Sequence, residues 1–375
     1  MKYFASIIII FAFFSLMLTG INFSHGLDNH ESDLEPTFHV KSADIMGIGF
    51  IELDKLHFTT DDYIKRNLTL PHGISQGSCN LTNKRVWSSL KEEFHENAMV
   101  PGGEILTLLF IYSNIGGVAD LNTILPNNEY LKFFTSKFDH FKIKLINELN
   151  FTSCDTPTNL VYISENGAST KVSKSSCNDM KISQRDVKYH LIKNYKMVVT
   201  DSGMWDEGVQ SKAIVRAYNI AEKVHTKRVL LLSDIMSIKH HRTSLMALID
   251  KLDVLITSES SLYKLMQTNS LSIILEKLKH CNKLIVITKE NLDTIIINGA
   301  NIITVPNITI KPNKIIDKTG MQSAFAAGFL YGQAHDLNLN DSVNYGQQVA
   351  FTTSQQIGGY PLKLLGGSLL ENSSN

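Results

Sequence analysis

The stretch RVLLLSD, residues 228–234, is an unbroken apolar run closed by a polar pair, and helical patterns precede and follow it. Two similar runs come after it, DVLIT at 253–257 and LIVIT at 284–288, separated by helix-like sequence from Ser258 to Gln267 and Leu271 to His280. Short apolar runs without alternation are strands covered on both faces. Interleaved with helices they make β-α-β units, so the fold expected is α/β with a mostly parallel sheet between helical layers. Thr294 to Val305 reads as a hairpin turning at Asn298-Gly299. A second hairpin, residues 156–174 turning at Glu165-Asn166-Gly167, lies outside the rhythm and is expected to form a small β-flap. In open sheets of this kind ligands sit at the carboxyl ends of the strands. That gathers Asp234, Ser258 and the turn at 317–323 around one site.

That turn opens DKTGMQSAFAAGFLYG, residues 317–332, in which Ala324, Phe325, Gly328 and Phe329 recur at helical spacing. A helix N-terminus offers free amides and a positive dipole end, which suits a phosphoryl group. Phosphoryl chemistry at such a place also needs a base to activate the nucleophile. The first turn here reads Gly320, Met321, Gln322, Ser323, without a carboxylate.

The chain has 375 residues, 43% of them hydrophobic, with 36 Lys and Arg balancing 36 Asp and Glu. It is long enough for a sizeable core, and the balanced charge gives no sign of a nucleic-acid partner or a charged tail. Lys2 followed by the apolar run Tyr3 to Leu18 and the small residues Ser24-His25-Gly26 has the layout of a signal peptide. Residues 1–26 are therefore expected to direct export. An uncleaved anchor, which would be the only membrane contact, stays open, as does a cytoplasmic protein whose start codon is misassigned. Residues 27–43 read as a linker, 44–365 as one domain and 366–375 as a tail. Cys154 and Cys177 flank the flap hairpin, which would bring them together as a disulfide or leave two free thiols; Cys79 and Cys281 complete the set.

Across residues 44–362 the chain resembles the PfkB (ribokinase-like) carbohydrate kinases, most closely their adenosine-kinase-like branch. IMGIGFIELD (45–54) is similar to the family's opening Gly-Ile-Gly-Asn-x-x-x-Asp, and PGGEILTLLFIYSNIGG (101–117) to its Pro-Gly-Gly-Ser-x-x-Asn-Thr segment. Trp205, Ser233-Asp234 and His241-Arg242 fall as in adenosine-kinase-like members. DKTGMQSAFAAGFLYG resembles the signature Asp-x-Thr-Gly-Ala-Gly-Asp-x-Phe-x-x-Gly-Phe-Leu. The resemblance implies a three-layer αβα sandwich with a β-flap as lid, and ATP-dependent, magnesium-assisted phosphorylation of a sugar or nucleoside hydroxyl.

The departures are equally consistent. Ser323 stands at the family's catalytic aspartate, and Met321 and Gln322 at its Ala and second Gly. A hydroxyl is no base near neutral pH without an activating partner, and a side chain at 322 crowds the anion hole. The Asn-x-x-Glu motif that organises magnesium falls on Ser258 and Ser261, and the nucleotide-side Thr-Lys-Gly-x-x-Gly on Thr288, Lys289, Glu290 and Asp293. Phe50 replaces the first Asn and Thr107 the later one. What survives is Asp54, Gly102 and Gly103 for substrate, with Thr319, Gly320 and Thr288 on the phosphate side.

Each has a plainer reading. Asp54 holds sugar hydroxyls or caps a turn; Gly102 and Gly103 approach a ligand or simply turn; Thr319 and Gly320 start a helix rather than bind phosphate. Trp205 is a buried anchor. His240, His241 and Asp234 match no zinc spacing, and no metal is expected. The expectation is an exported, catalytically inactive kinase homologue that binds a nucleoside, a sugar or a protein through the former substrate cleft, with no cofactor. The alternatives are an active kinase using ATP and Mg²⁺ with a displaced base such as Glu290 or Asp293, and an interaction protein whose cleft is vestigial.

Overall fold

A computed structural model of the chain describes residues 41–72, 74, 77–81, 83–147, 151–152, 154–174, 180–289, 293–307 and 315–359, residues 77–81 and 151 by backbone alone. The expected signal peptide, almost all of the linker, the tail, Cys177 and Glu290 lie outside the described residues.

The main sheet runs β16 (Asn301–Val305), β15 (Thr294–Asn298), β14 (Leu284–Thr288), β13 (Val254–Ser258), β12 (Lys227–Leu232), β11 (Tyr195–Asp201), β1 (Ala43–Ile48), β5 (Ala119–Asn122) and β7 (Lys144–Leu145). All neighbours are parallel except β14–β15 and β15–β16. The reason is in the sequence: Val229 to Leu232, Val254 to Thr257 and Ile285 to Thr288 are buried on both faces, which only helices on both sides of the sheet can achieve. Helix Val209–Lys223 packs on β11 and β12, while Glu104–Asn114, Met321–Ala334 and Leu339–Ser354 pack together. The result is a three-layer αβα sandwich. The 294–305 hairpin turns at Asn298-Gly299 as expected, with Gly299 at φ +59°.

A second sheet is ordered β3 (Gly77–Leu81), β10 (Ser169–Lys174), β9 (Thr158–Ile163), β2 (Glu52–Phe58) and β4 (Ala98–Gly102). The hairpin expected at 156–174 supplies its antiparallel pair β9–β10, turning through Gly167 at φ +76°. A short pair joins β6 (Leu125–Pro126) to β8 (Phe151–Thr152). Successive side chains alternate across a strand, so the second sheet has two unlike faces. Lys55, His57, Leu160, Tyr162, Val172 and Lys174 share the back. There Ile64, Leu68, Trp87, Leu90, Leu160, Tyr162 and Val172 form one apolar cluster under helix Lys84–Glu93. Glu52, Asp54, Asn159 and Lys171 share the front with a smaller cluster of Leu56, Val100, Val161 and Ile163.

Cys154 is disulfide-bonded and Cys281 is a free thiol. The expected pairing of Cys154 with Cys177 falls outside the described residues. No helix among them is long and apolar enough to cross a membrane.

Candidate functional site

The turn into helix Met321–Ala334 is held by a carboxylate that serves the backbone. Asp317 is fully buried, accepts from the Thr319 amide at 2.8 Å and the Gly358 amide at 2.7 Å, and so ties this turn to the end of the chain's last described segment. Gly320 sits at φ +74°, and a β-carbon there would lie 2.9 Å from the Gly359 Cα. Only glycine fits, and the reason is packing. Ser323 is buried on the first turn, whereas the Thr319 hydroxyl and the Gln322 amide nitrogen are buried without a hydrogen-bond partner.

At the positions that the resemblance assigns to the nucleotide, Ser258, Thr288 and Asp293 are engaged within the fold. Ser258 caps helix Glu259–Met266 by accepting from the Ser261 amide at 3.1 Å, and its hydroxyl also meets those of Ser260 and Ser261. Its hydroxyl therefore serves its own helix, at the carboxyl end of the strand next to the one that leads to Asp234. Thr288 is buried and donates to the Thr257 carbonyl at 3.4 Å, so its hydroxyl belongs to the sheet. Asp293 accepts from the Asn307 amide at 2.9 Å. Among the described residues no group of His, Cys, Asp and Glu is placed to hold a metal ion, the His240–His241 corner included. Magnesium needs carboxylate and phosphate oxygens, and two serines do not supply them. Among the described residues, Ser258 and Ser261 do not fit a magnesium site.

The substrate side is different. Asp54 is buried on β2 and accepts from the Asn159 side chain at 2.6 Å; the same amide donates to Glu52 at 2.8 Å, and Lys171 pairs with Glu52 at 3.3 Å. Gly102, its neighbour on β4, leaves room for this carboxyl: a β-carbon there would lie 2.4 Å from Asp54 Oδ1. Gly103 at φ +101° then turns the chain into helix Glu104–Asn114. Phe50 packs against the main core, and Trp205 is buried with its indole donating to the Ser244 hydroxyl at 2.8 Å.

Across from the front of the second sheet lie carboxyls that sequence reasoning missed. Glu104 opens its helix and accepts a hydrogen bond from the Ser233 hydroxyl. Asp201 ends β11 and accepts from the Gly203 amide at 2.7 Å, while the Ser233 and Asp234 amides donate to the Ser202 hydroxyl at 3.1 and 3.0 Å. Burial, then repulsion from Asp201 and Asp234, raises Glu104 to about 8. Burial and the charges of Asp234 and Glu52 raise Asp201 to about 7. Burial, with Glu52 and Asp317 adding to it against the pull of Lys171, raises Asp54 to about 6. Lys171 is held charged chiefly by Glu52, with Asp54 and Asp234 contributing. These charges act on one another across the lid's front face, the strand ends and the 317 turn. Glu104 carried a visible signal, since it stands where the resembling segment has Ser. Lys171 and Asn159 carried none, because only the pairing of distant strands brings them in.

An α/β core of nine strands, a five-stranded lid facing its strand ends, and an Asp-x-Thr-Gly helix start beside the lid's aspartate define a sugar or nucleoside kinase architecture. A sequence profile of the pfkB family carbohydrate kinases matches residues 77–363, and the chain belongs to that family. Among solved structures, the adenosine kinase from Sinorhizobium meliloti superposes with a TM-score of 0.81 at 19% identity, covering 89% of this chain and 100% of that one. A probable sugar kinase from Rhizobium etli gives 0.81 at 20% identity, covering 89% and 99%. Adenosine kinase from Schistosoma mansoni in complex with 2-fluoroadenosine gives 0.76 at 13%, covering 87% and 99%. No curated protein sequence matches.

Proposed function

We propose that this chain is an exported, non-catalytic member of its family that binds a nucleoside or sugar in the cleft between lid and core. The observation that carries this is the helix start: Ser323, buried, stands at the family's base position, and the amide nitrogen of half-buried Gln322 before it is enclosed without a hydrogen-bond partner. The serines at 258 and 261 and the hydroxyl of Thr288 are occupied by their own backbone and neighbours. The substrate side keeps a polar lining suited to hydroxyls. Near pH 7 Asp54 is mostly ionised and accepts, whereas Glu104 holds its proton and can donate. The leader-like residues 1–26 and the disulfide at Cys154 support an oxidising compartment, where ATP is scarce.

The test is a melting experiment on purified protein with adenosine or ribose, since a ligand that prefers the folded state raises Tm. A rise that Asp54→Asn removes supports the reading; no rise with either ligand removes it and leaves an interaction protein. Asp201 titrates near neutrality, as a general base should, and this observation favours the second reading, an active kinase with a displaced base. A phosphotransfer assay separates the two.

A further inference from the structure

We propose a second binding site, on the back of the lid, for a compact polyol carrying several phosphate or sulfate groups. It is a cavity of about 390 Å³ whose lining includes Lys55, Lys84, Trp87, Lys91, Tyr130 and Lys174. That volume is within the range of small-molecule pockets. It lies on the opposite face of the second sheet from Asp54 and Lys171, so it is a separate site from the cleft and stands independently of the function proposed there.

The chain builds this pocket from both walls. On helix Lys84–Glu93 the residues Lys84, Trp87 and Lys91 are spaced i, i+3, i+7, one stripe along one face. On the sheet, Lys55 and Lys174 both belong to the back face, and Lys174 is carried at the end of β10. The stripe and the sheet thus bring four lysines to one concavity, with two carboxylates, Glu129 and Asp155, in the lining. Lys55 is paired with Glu96 at 2.7 Å, whereas among the described residues Lys84, Lys91 and Lys174 make no ion pair. The four lysines outnumber the two lining carboxylates, so the concavity keeps an excess of positive charge that an anion relieves.

The third wall is rigid. The Asn128 side chain donates to the buried Thr156 hydroxyl at 2.9 Å, Thr158 donates to the Thr156 carbonyl at 2.9 Å, and the disulfide at Cys154 anchors the segment just before Asp155. Trp87 belongs to the apolar cluster beneath, and Tyr130 adds a second aromatic ring to the lining. Aromatic rings beside free ammonium groups suit a polyol ring with anionic substituents. The charged groups come from surface lysines, so affinity should fall as salt rises.

Titration calorimetry on the intact protein tests this with two probes, myo-inositol hexakisphosphate and sucrose octasulfate, against unsubstituted myo-inositol and sucrose. The variant is Lys84→Ala with Lys91→Ala. Both side chains are exposed and alanine is a good helix former, so the unliganded Tm should not move. The control removes two exposed lysines from a remote helix, Lys212→Ala with Lys223→Ala. The expected result is binding of at least one charged probe, none of the neutral ones, and a Kd weakened about tenfold or more only by the first pair. Preference between the probes identifies phosphate or sulfate as the natural group. Equal weakening by both pairs would mean diffuse attraction to basic surface and overturns the site, as does the absence of binding by either charged probe.

Discussion

Glu104→Gln should stabilise the unliganded protein, and more at pH 8 than at pH 5. The glutamine keeps the shape and still accepts from the Ser233 hydroxyl, so the change removes an ionisable proton and little else. Below about pH 4.5 the carboxyl holds its proton in both folded and unfolded chains and contributes nothing to the balance. From there to about pH 8 the folded chain keeps a proton that the unfolded chain has released, so stability falls as pH rises. A carboxyl moved from 4.5 to about 8, at about 1.4 kcal/mol for each tenfold, sets a ceiling of about 5 kcal/mol. Glu104 is only half-buried, and solvent screening reduces this to about 1–2 kcal/mol at pH 8. Urea denaturation of both proteins at pH 5 and pH 8 reads it directly. The expected gain is about 1–2 kcal/mol at pH 8 and a few tenths at pH 5. An equal gain at both values, or a loss at pH 8, would show that Glu104 is not a protonated group held in the cleft by its acidic neighbours.

Two further substitutions probe the frame. Gly102→Ala drives a methyl group to 2.4 Å from Asp54 Oδ1, and overpacking of this kind costs about 1–3 kcal/mol; it should also abolish any adenosine- or ribose-dependent rise in Tm, and retention of that rise would show that Asp54 takes no part in binding. Asp317→Ala leaves the Thr319 and Gly358 amides without their acceptor, at about 1–3 kcal/mol each, so a loss of about 2–5 kcal/mol is expected in denaturation, and a loss under about 1 kcal/mol would refute its role as the clasp between the helix start and the chain's last turn.

The main sheet was legible because its strands are buried on both faces, and five apolar residues between helix patterns have few other uses. Both Asn-Gly turns were legible for the same local reason, a backbone that favours positive φ. The lid was harder. ELDKLHF, residues 52–58, mixes charge and apolarity because one face meets a cleft and the other a helix, and sequence pattern alone treats such polar residues as surface. Asp54, Gly102 and Gly103 were found through resemblance, and the structure puts all three beside one another. Thr288 and Ser258 fell in the expected places on the strands, yet their hydroxyls are spent on the fold, which no linear motif reveals. Glu52, Asn159, Lys171 and Asp201 come together only through strand pairing and the docking of lid on core, at separations of about a hundred residues, as with Asn159 and Asp54.

The proposed function requires that phosphoryl transfer has been given up at the helix start. A general base is worth about 10²- to 10⁴-fold, and electrostatic stabilisation of the transferring group about 10²- to 10³-fold more. These terms do not simply multiply, yet on the proposed function their joint loss would leave no useful enzyme. The direct measurement is phosphorylation of adenosine and of ribose by the unmodified protein with ATP and magnesium, beside the double variant Gln322→Gly, Ser323→Asp. No turnover above the uncatalysed rate is expected from the unmodified protein. Turnover by it at about 1 s⁻¹ or faster would refute the loss of catalysis and make the chain a working kinase with a displaced base.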